Sequence, residues 1–182
     1  MANYFKSIGI QVGDCIAGLL PRTPELLITI LATWRIGAIY QPLFTAFESK
    51  AIEHRVLTAN TKLIVTNAEQ RPKLNHVEVK HILTVNAGTN LTSKEADFWQ
   101  EVKQQSDQYE AVLRSFDDDF LMMFTSGTTG LAKSVPVPLK AVLAFKGYMQ
   151  HAVDLREDDS FWNLADPGWA YGLYYGITGP LS

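Results

Sequence analysis

The run LMMFTSGTTGLAKSVPVP, residues 121–138, crowds Ser, Thr and Gly around one lysine, Lys133, directly behind an apolar stretch. Gly127, Ala132, Lys133 and Ser134 come close to the spacing of a Walker loop, and the fold turns on whether a helix or a strand follows Lys133. The Walker motif requires a glycine immediately before the lysine and a helix starting at it, so that the helix N-terminus faces the phosphates. Here Ala132 stands in the glycine position, and Pro136 and Pro138 follow. In the interior of such a helix Pro138 would cost about 3 kcal/mol or more. The residue before each proline is also pushed out of the α region. SVPVP therefore reads as extended chain, with the next helix beginning near Leu139. The expectation is strand, hydroxyl-rich loop, strand. A Walker-type NTPase is the competing reading, and it requires a helix from Lys133.

The apolar run Phe120–Phe124 places this loop at the C-terminal end of a strand, where ligands bind in open α/β sheets. A phosphate loop needs glycines for close backbone approach, hydroxyls as donors and a cation to offset charge. Gly127 and Gly130 supply the first, Thr125, Ser126, Thr128 and Thr129 the second, and Lys133 the third.

Working outward, DCIAGLL at 14–20 reads as a buried strand. PRTPELLITILATWRIGA reads as a helix, with Thr23 as N-cap, Pro24 in the first position and Gly37 after the last turn. Glu25, Thr29 and Thr33 form a narrow polar stripe on that helix, which is otherwise apolar and so largely buried. AIYQPLF at 38–44 returns as a strand. Thr45 and Glu48 stand at capping-box spacing ahead of a helix through Ala59. KLIVT at 62–66 and HILTV at 81–85 read as strands, and residues 93–106 as a helix with its polar side in water. Alternation of short apolar strands with helices predicts an α/β fold, with layered helices and a mainly parallel sheet.

Composition narrows the function classes. The chain of 182 residues is 47% hydrophobic and 19% charged, the balance of an ordinary globular protein. A formal charge of -3 lacks the basic excess of a phosphate-backbone binder, so no nucleic-acid partner is expected. The longest apolar region, 26–44, is broken by Thr29, Thr33, Arg35, Gln41, Gly37 and Pro42, whereas a membrane helix needs about 20 predominantly apolar residues. No membrane partner is expected, and the N-terminus carries no signal-peptide pattern. The single cysteine, Cys15, excludes an intramolecular disulfide and fits a reducing, cytoplasmic setting. It reads as a small buried hydrophobe. Asp117, Asp118 and Asp119 read as solvated surface. His54, His76, His81 and His151 show no metal-ligand spacing and read as solvated or capping residues.

FTSGTTGLAKSV resembles the signature (Y/F)TSG(S/T)TGxPKGV of the adenylate-forming superfamily, departing at Ala132 for the usual Pro and at Ser134 for the usual Gly. GIQVGDCIAGLLPRTPELLITILATWRIGAIYQPL is similar to the opening of these enzymes, and FWNLADPGWAYGLYYGITGPL resembles a segment of the acetyl- and medium-chain acyl-CoA synthetase branch. The resemblance implies ATP-dependent activation of a small carboxylate as an acyl-adenylate, release of pyrophosphate, and transfer to the thiol of coenzyme A, with Mg²⁺ accompanying ATP. It implies that Thr125, Ser126, Gly127, Thr128, Thr129, Gly130 and Lys133 hold the ATP phosphates, and that Trp169, Tyr171 and Gly172 lie near the acyl pocket. It assigns no catalytic residue or metal ligand to these positions.

The family's adenine motif, acidic magnesium ligand, ribose-binding aspartate, hinge and C-terminal-domain lysine lie downstream of residue 182. The expectation is that residues 1–182 form an incomplete N-terminal (AMP-binding) domain, a partial subdomain of the adenylate-forming fold with the C-terminal domain absent. Such an N-terminal fragment of a carboxylate–CoA ligase would be inactive alone, and its aromatic, glycine-rich C-terminal segment would be exposed for self-association. The competing class is a non-catalytic nucleotide- or partner-binding module, which would fold that segment onto its own core.

Overall fold

The computed structural model describes residues 1–89, 91–125 and 130–182. A short helix α1 (Ala2–Ser7) precedes β1 (Cys15–Leu19), α2 (Pro24–Arg35), β2 (Ile39–Pro42), α3 (Ser49–Thr58) and β3 (Leu63–Asn67). A 3-10 turn at Arg71–Leu74 leads to β4 (His81–Val85), β5 (Glu95–Asp97) and α4 (Phe98–Lys103). Then come β6 (Asp119–Thr125), β7 (Lys133–Pro138), α5 (Ala141–His151) and α6 (Ala170–Leu173), which runs into a π-helical turn at Tyr174–Thr178. The strands form one seven-stranded sheet in the order β5-β4-β3-β1-β2-β6-β7. All pairings are parallel except β6 with β7, so the expected mainly parallel α/β architecture is present.

Strand alternation divides the core into two layers. Ile16, Tyr40, Leu63, Val65, Leu83 and Leu121 meet α1, α2, α4 and α5 on one face. Ala17, Leu19, Ile64 and Ile82 meet α3 through Ile52 and Val56 on the other. The chain leaves β2 toward β3 on one side and leaves β6 toward β7 on the opposite side. Neighbouring parallel strands whose connections diverge open a crevice at their C-terminal ends, and this is where a doubly wound sheet takes ligands.

Several local expectations need correction. Helix α3 begins at Ser49 with Glu48 as N-cap, so the Thr45–Glu48 capping box does not form. The Thr45 carbonyl instead accepts a hydrogen bond from Lys73 Nζ. The stretch at 93–106 is not one helix: Glu95–Asp97 pairs with β4, and Asp97 then caps α4 by accepting from the Gln100 N–H at 3.0 Å. The Thr23 side chain makes no capping bond, although Thr23 is the N-cap of α2 and Pro24 opens it.

The two threonines of the polar stripe of α2 are buried. Thr29 and Thr33 are 0% exposed, while Leu27 and Leu31 are 38% and 43% exposed. The two hydroxyls donate to the Glu25 and Thr29 carbonyls at 2.7 Å. That i−4 bonding removes the desolvation cost that would otherwise keep threonine at the surface.

Cys15 is buried, its Sγ 3.7 Å from Gln41 Oε1, and burial pushes the thiol up to about 12. Of the acidic run, Asp117 pairs with Lys140 at 2.7 Å, and Asp118 accepts from Arg114 Nε and from the Ser115 N–H, both at 2.8 Å. Among the described residues, no helix is long and apolar enough to cross a membrane.

Gly18 in β1 lies against the buried Tyr40 of the neighbouring strand, and a Cβ there would overlap the tyrosine hydroxyl. Gly18→Ala is expected to lower stability by about 1–3 kcal/mol, read as a shift of the urea midpoint. Adding Tyr40→Phe, which removes the overlapping oxygen, restores part of it.

Candidate functional site

The strand that follows Lys133 decides between the hairpin and Walker readings. Lys133 opens β7, which pairs antiparallel with β6 in the register Thr125↔Lys133, Phe124↔Ser134 and Met122↔Pro136. No helix begins at Lys133, so the condition of the Walker reading is not met. Pro136 and Pro138 are accommodated because β7 is the edge of the sheet, where a missing N–H breaks no inner ladder. Ser126, Gly127, Thr128 and Thr129 lie outside the described residues. Thr125, Gly130 and Lys133 are all exposed. Gly130 has φ +131, a conformation that side chains rarely adopt. Lys133 takes part in none of the ion pairs among the described residues, which leaves its ammonium charge available to an anion.

Helix α3 braces both arms of the loop from the opposite face of the sheet. His54 Nε2 lies 2.7 Å from the Ala132 carbonyl oxygen, and its ring centroid is 6.5 Å from that of Phe124 in an edge-on arrangement. The Arg55 guanidinium sits 4.1 Å from the ring centre of Phe47 and 5.6 Å from that of Phe124. Burial pulls this guanidinium below its usual value, and the two aromatic faces offset part of the lost hydration. Arg55 also donates from Nη1 to the Ala51 carbonyl at 2.8 Å.

Beyond Phe47 the contacts continue into the DPGW segment. Phe44, Phe47 and Trp169 form a triangle of rings with centroids 5.4–5.8 Å apart. Trp169 is held by a turn in which Asp166 Oδ1 accepts from the Gly168 N–H at 2.7 Å and the Asp166 carbonyl accepts from the Trp169 N–H at 3.0 Å. A side chain at Gly168 would meet Phe44 Cα at 2.6 Å, so only glycine allows this approach. A chain of contacts therefore runs from Trp169 through Phe47 and Arg55 to Phe124 at the loop.

The three residues expected near an acyl pocket are not brought together. Trp169, 50% exposed, faces the loop side through Phe47. Tyr171, 52% exposed, packs on Tyr175 at 5.1 Å instead. Gly172 is buried, and a Cβ there would overlap the Asp166 carbonyl. Among the histidines, His54 is not merely a solvated or capping residue, since it reaches the loop. Phe44, Phe47, His54 and Arg55 were missed as site residues, and their signal is weak. The pair Phe44 and Phe47 just beyond β2 is a cue, because aromatic residues at the end of a parallel strand stand where ligands bind.

Two apolar crevices flank α2 and share Leu181, one lined by Leu26, Leu27 and Ile177, the other by Leu31, Trp34 and Phe120. Neither contains Thr125 or Lys133, so they lie apart from the loop. The C-terminal segment is divided: Leu173 is buried and Tyr174 stacks on Phe145 at 4.3 Å, while Trp162, Leu164 and Leu181 are exposed.

The family described as AMP-binding enzyme matches residues 1–182. The chain is 32% identical over 184 residues to an acetyl-coenzyme A synthetase of Bacillus subtilis (strain 168), covering 98% of this chain and 32% of that protein. An acetyl-coenzyme A synthetase of Deinococcus radiodurans is 33% identical over 207 residues, covering 99% and 31%. The crystal structure of a Brucella canis acyl-CoA synthetase superposes with a TM-score of 0.94 at 55% identity, covering 99% of this chain and 33% of that one. An anthranilate CoA ligase in complex with anthranoyl-AMP shares the fold at a TM-score of 0.90 and 21% identity, covering 98% of this chain and 35% of that one. The chain spans about a third of the length of the relatives it matches.

Gly172→Ala is expected to destabilise by about 1–3 kcal/mol because the new methyl has only backbone to displace. Tyr171→Ala, at a half-exposed position, should stay within about 0.5 kcal/mol. Denaturant titration of the two variants separates tight packing at residue 172 from a merely surface position at 171.

Proposed function

The chain belongs to the AMP-binding enzyme family, and from that premise we propose that it supplies the phosphate-binding part of an ATP-dependent carboxylate–CoA ligase. In this reading Thr125, Ser126, Gly127, Thr128, Thr129, Gly130 and Lys133 hold the β- and γ-phosphates while a carboxylate oxygen attacks the α-phosphorus. The observation that carries it is the hairpin itself, with Thr125 and Lys133 paired at its base and a lysine charge that no carboxylate among the described residues neutralises.

Negative charge builds on the leaving pyrophosphate, and donors already aimed at it stabilise the transition state without reorganising. The thiol of coenzyme A then attacks the acyl carbon of the adenylate, forming the thioester as AMP leaves, as the names of the synthetase relatives suggest. Mg²⁺ would arrive on the phosphates of ATP. Trp169, beside Phe44 and Phe47, borders the space for a small acyl group. The 182 residues alone carry the phosphate arm without completing the reaction, consistent with their covering about a third of the synthetase relatives.

Lys133→Ala is expected to weaken ATP·Mg²⁺ binding about tenfold or more, the scale of losing one charge-assisted contact, measured by titration calorimetry. Unchanged affinity would remove the phosphate role of the loop. Carboxylate-dependent exchange of labelled pyrophosphate into ATP should be absent for the 182-residue chain, and exchange above background would overturn its inactivity.

A further inference from the structure

We propose that His54 is a positioning residue: its hydrogen bond to the Ala132 carbonyl tethers the C-terminal arm of the loop to α3 and so fixes where the Lys133 ammonium stands. The consequence for ATP rests on the phosphate reading given above. The tether itself does not.

Ala132 lies one residue outside the β6–β7 ladder, whose last pair is Thr125↔Lys133. It is thus the last point at which the arm can be held before the lysine. A carbonyl can only accept, so the 2.7 Å contact requires the proton on His54 Nε2. The same ring meets Phe124 on the other arm, so one side chain touches both arms of the loop.

The base from which His54 acts is rigid. On either side of it along α3, Ile52 and Val56 are buried against the sheet, and Gln41 Nε2 in β2 donates to the Arg55 carbonyl at 3.1 Å. The sequence supplies a reason for the tether. In the motif that this loop resembles, residue 132 is a proline, which locks φ and removes backbone freedom from within the chain. Alanine leaves that freedom, and the bond from His54 restricts the same residue from outside.

Limited trypsin digestion of the native chain reads the tether directly, because Lys133 is itself a cleavage site. His54→Ala is expected to accelerate cleavage after Lys133 about fivefold, the factor set by the loss of one hydrogen bond. Cleavage after Lys103 should stay unchanged, and the urea midpoint should fall by no more than one hydrogen bond accounts for. His54→Gln, which keeps an N–H donor, should return most of the protection. In an Ala132→Pro background His54→Ala should have little further effect, because the proline already restrains the arm. An unchanged rate at Lys133 in His54→Ala, or equal acceleration at every site, overturns the proposal. ATP·Mg²⁺ titration of the same variants separates the two readings. Faster cleavage at Lys133 with unaltered nucleotide affinity keeps the tether and counts against the phosphate reading, whereas faster cleavage with weaker affinity supports both.

Discussion

Antiparallel pairing of Thr125 with Lys133 joins the two arms of the loop at its base, and the placing of these two residues follows from that single pair. Directly opposed residues in such a ladder stand about 4.5–5.5 Å apart, so a hydroxyl and an ammonium enter the loop from one mouth. Alternation then assigns the faces. Leu121, Met123 and Thr125 share one side of β6, opposite Val137, Val135 and Lys133 on β7. Phe124 points the other way, toward α3, and meets His54 and Arg55 there. A slip of β7 by one residue would turn Lys133 toward α3. The buried side chains of Leu121, Met123 and Val137 oppose that slip, which is how an apolar core far from the ligand sets the direction of a surface cation.

The features legible in the sequence are those written in local chemistry. Two prolines after Lys133 specify an extended chain, and an edge strand accepts them. The alternation of apolar runs with helical stretches specified a mainly parallel α/β architecture. What was not legible depends on partners distant along the chain. The contact of His54 with Ala132 spans 78 residues of sequence, and nothing near His54 announces it. The 93–106 stretch has a helical composition, yet its first part is drawn into the sheet because β4 offers an open edge. Tertiary pairing there outweighs local propensity. For Thr45 and Glu48 the spacing of a capping box was present, but Lys73 engages the Thr45 carbonyl and the helix starts later.

Helix α2 shows why a helical wheel misleads for threonine. Its hydroxyls bond to carbonyls of their own helix, so the polar stripe behaves as a narrow, low-profile apolar surface that lets the helix approach the sheet. The bulkier leucines at 27 and 31 are then left on the outside, beside the crevices shared with Leu181.

Cys15 lies in the central strand of this sheet with both faces covered, and its thiol, pushed up to about 12, stays protonated at any pH the fold would meet. Since the thiolate is the reactive form, this residue is silent toward alkylating reagents until β1 itself is exposed. Fraying at the termini or around the edge strands leaves it untouched, because the opening that reaches it must dismantle the middle of the sheet. The protein thus carries a native chronometer of cooperative opening: a single sulfur whose labelling rate counts excursions of the whole core and ignores the motions of the loop that the core supports.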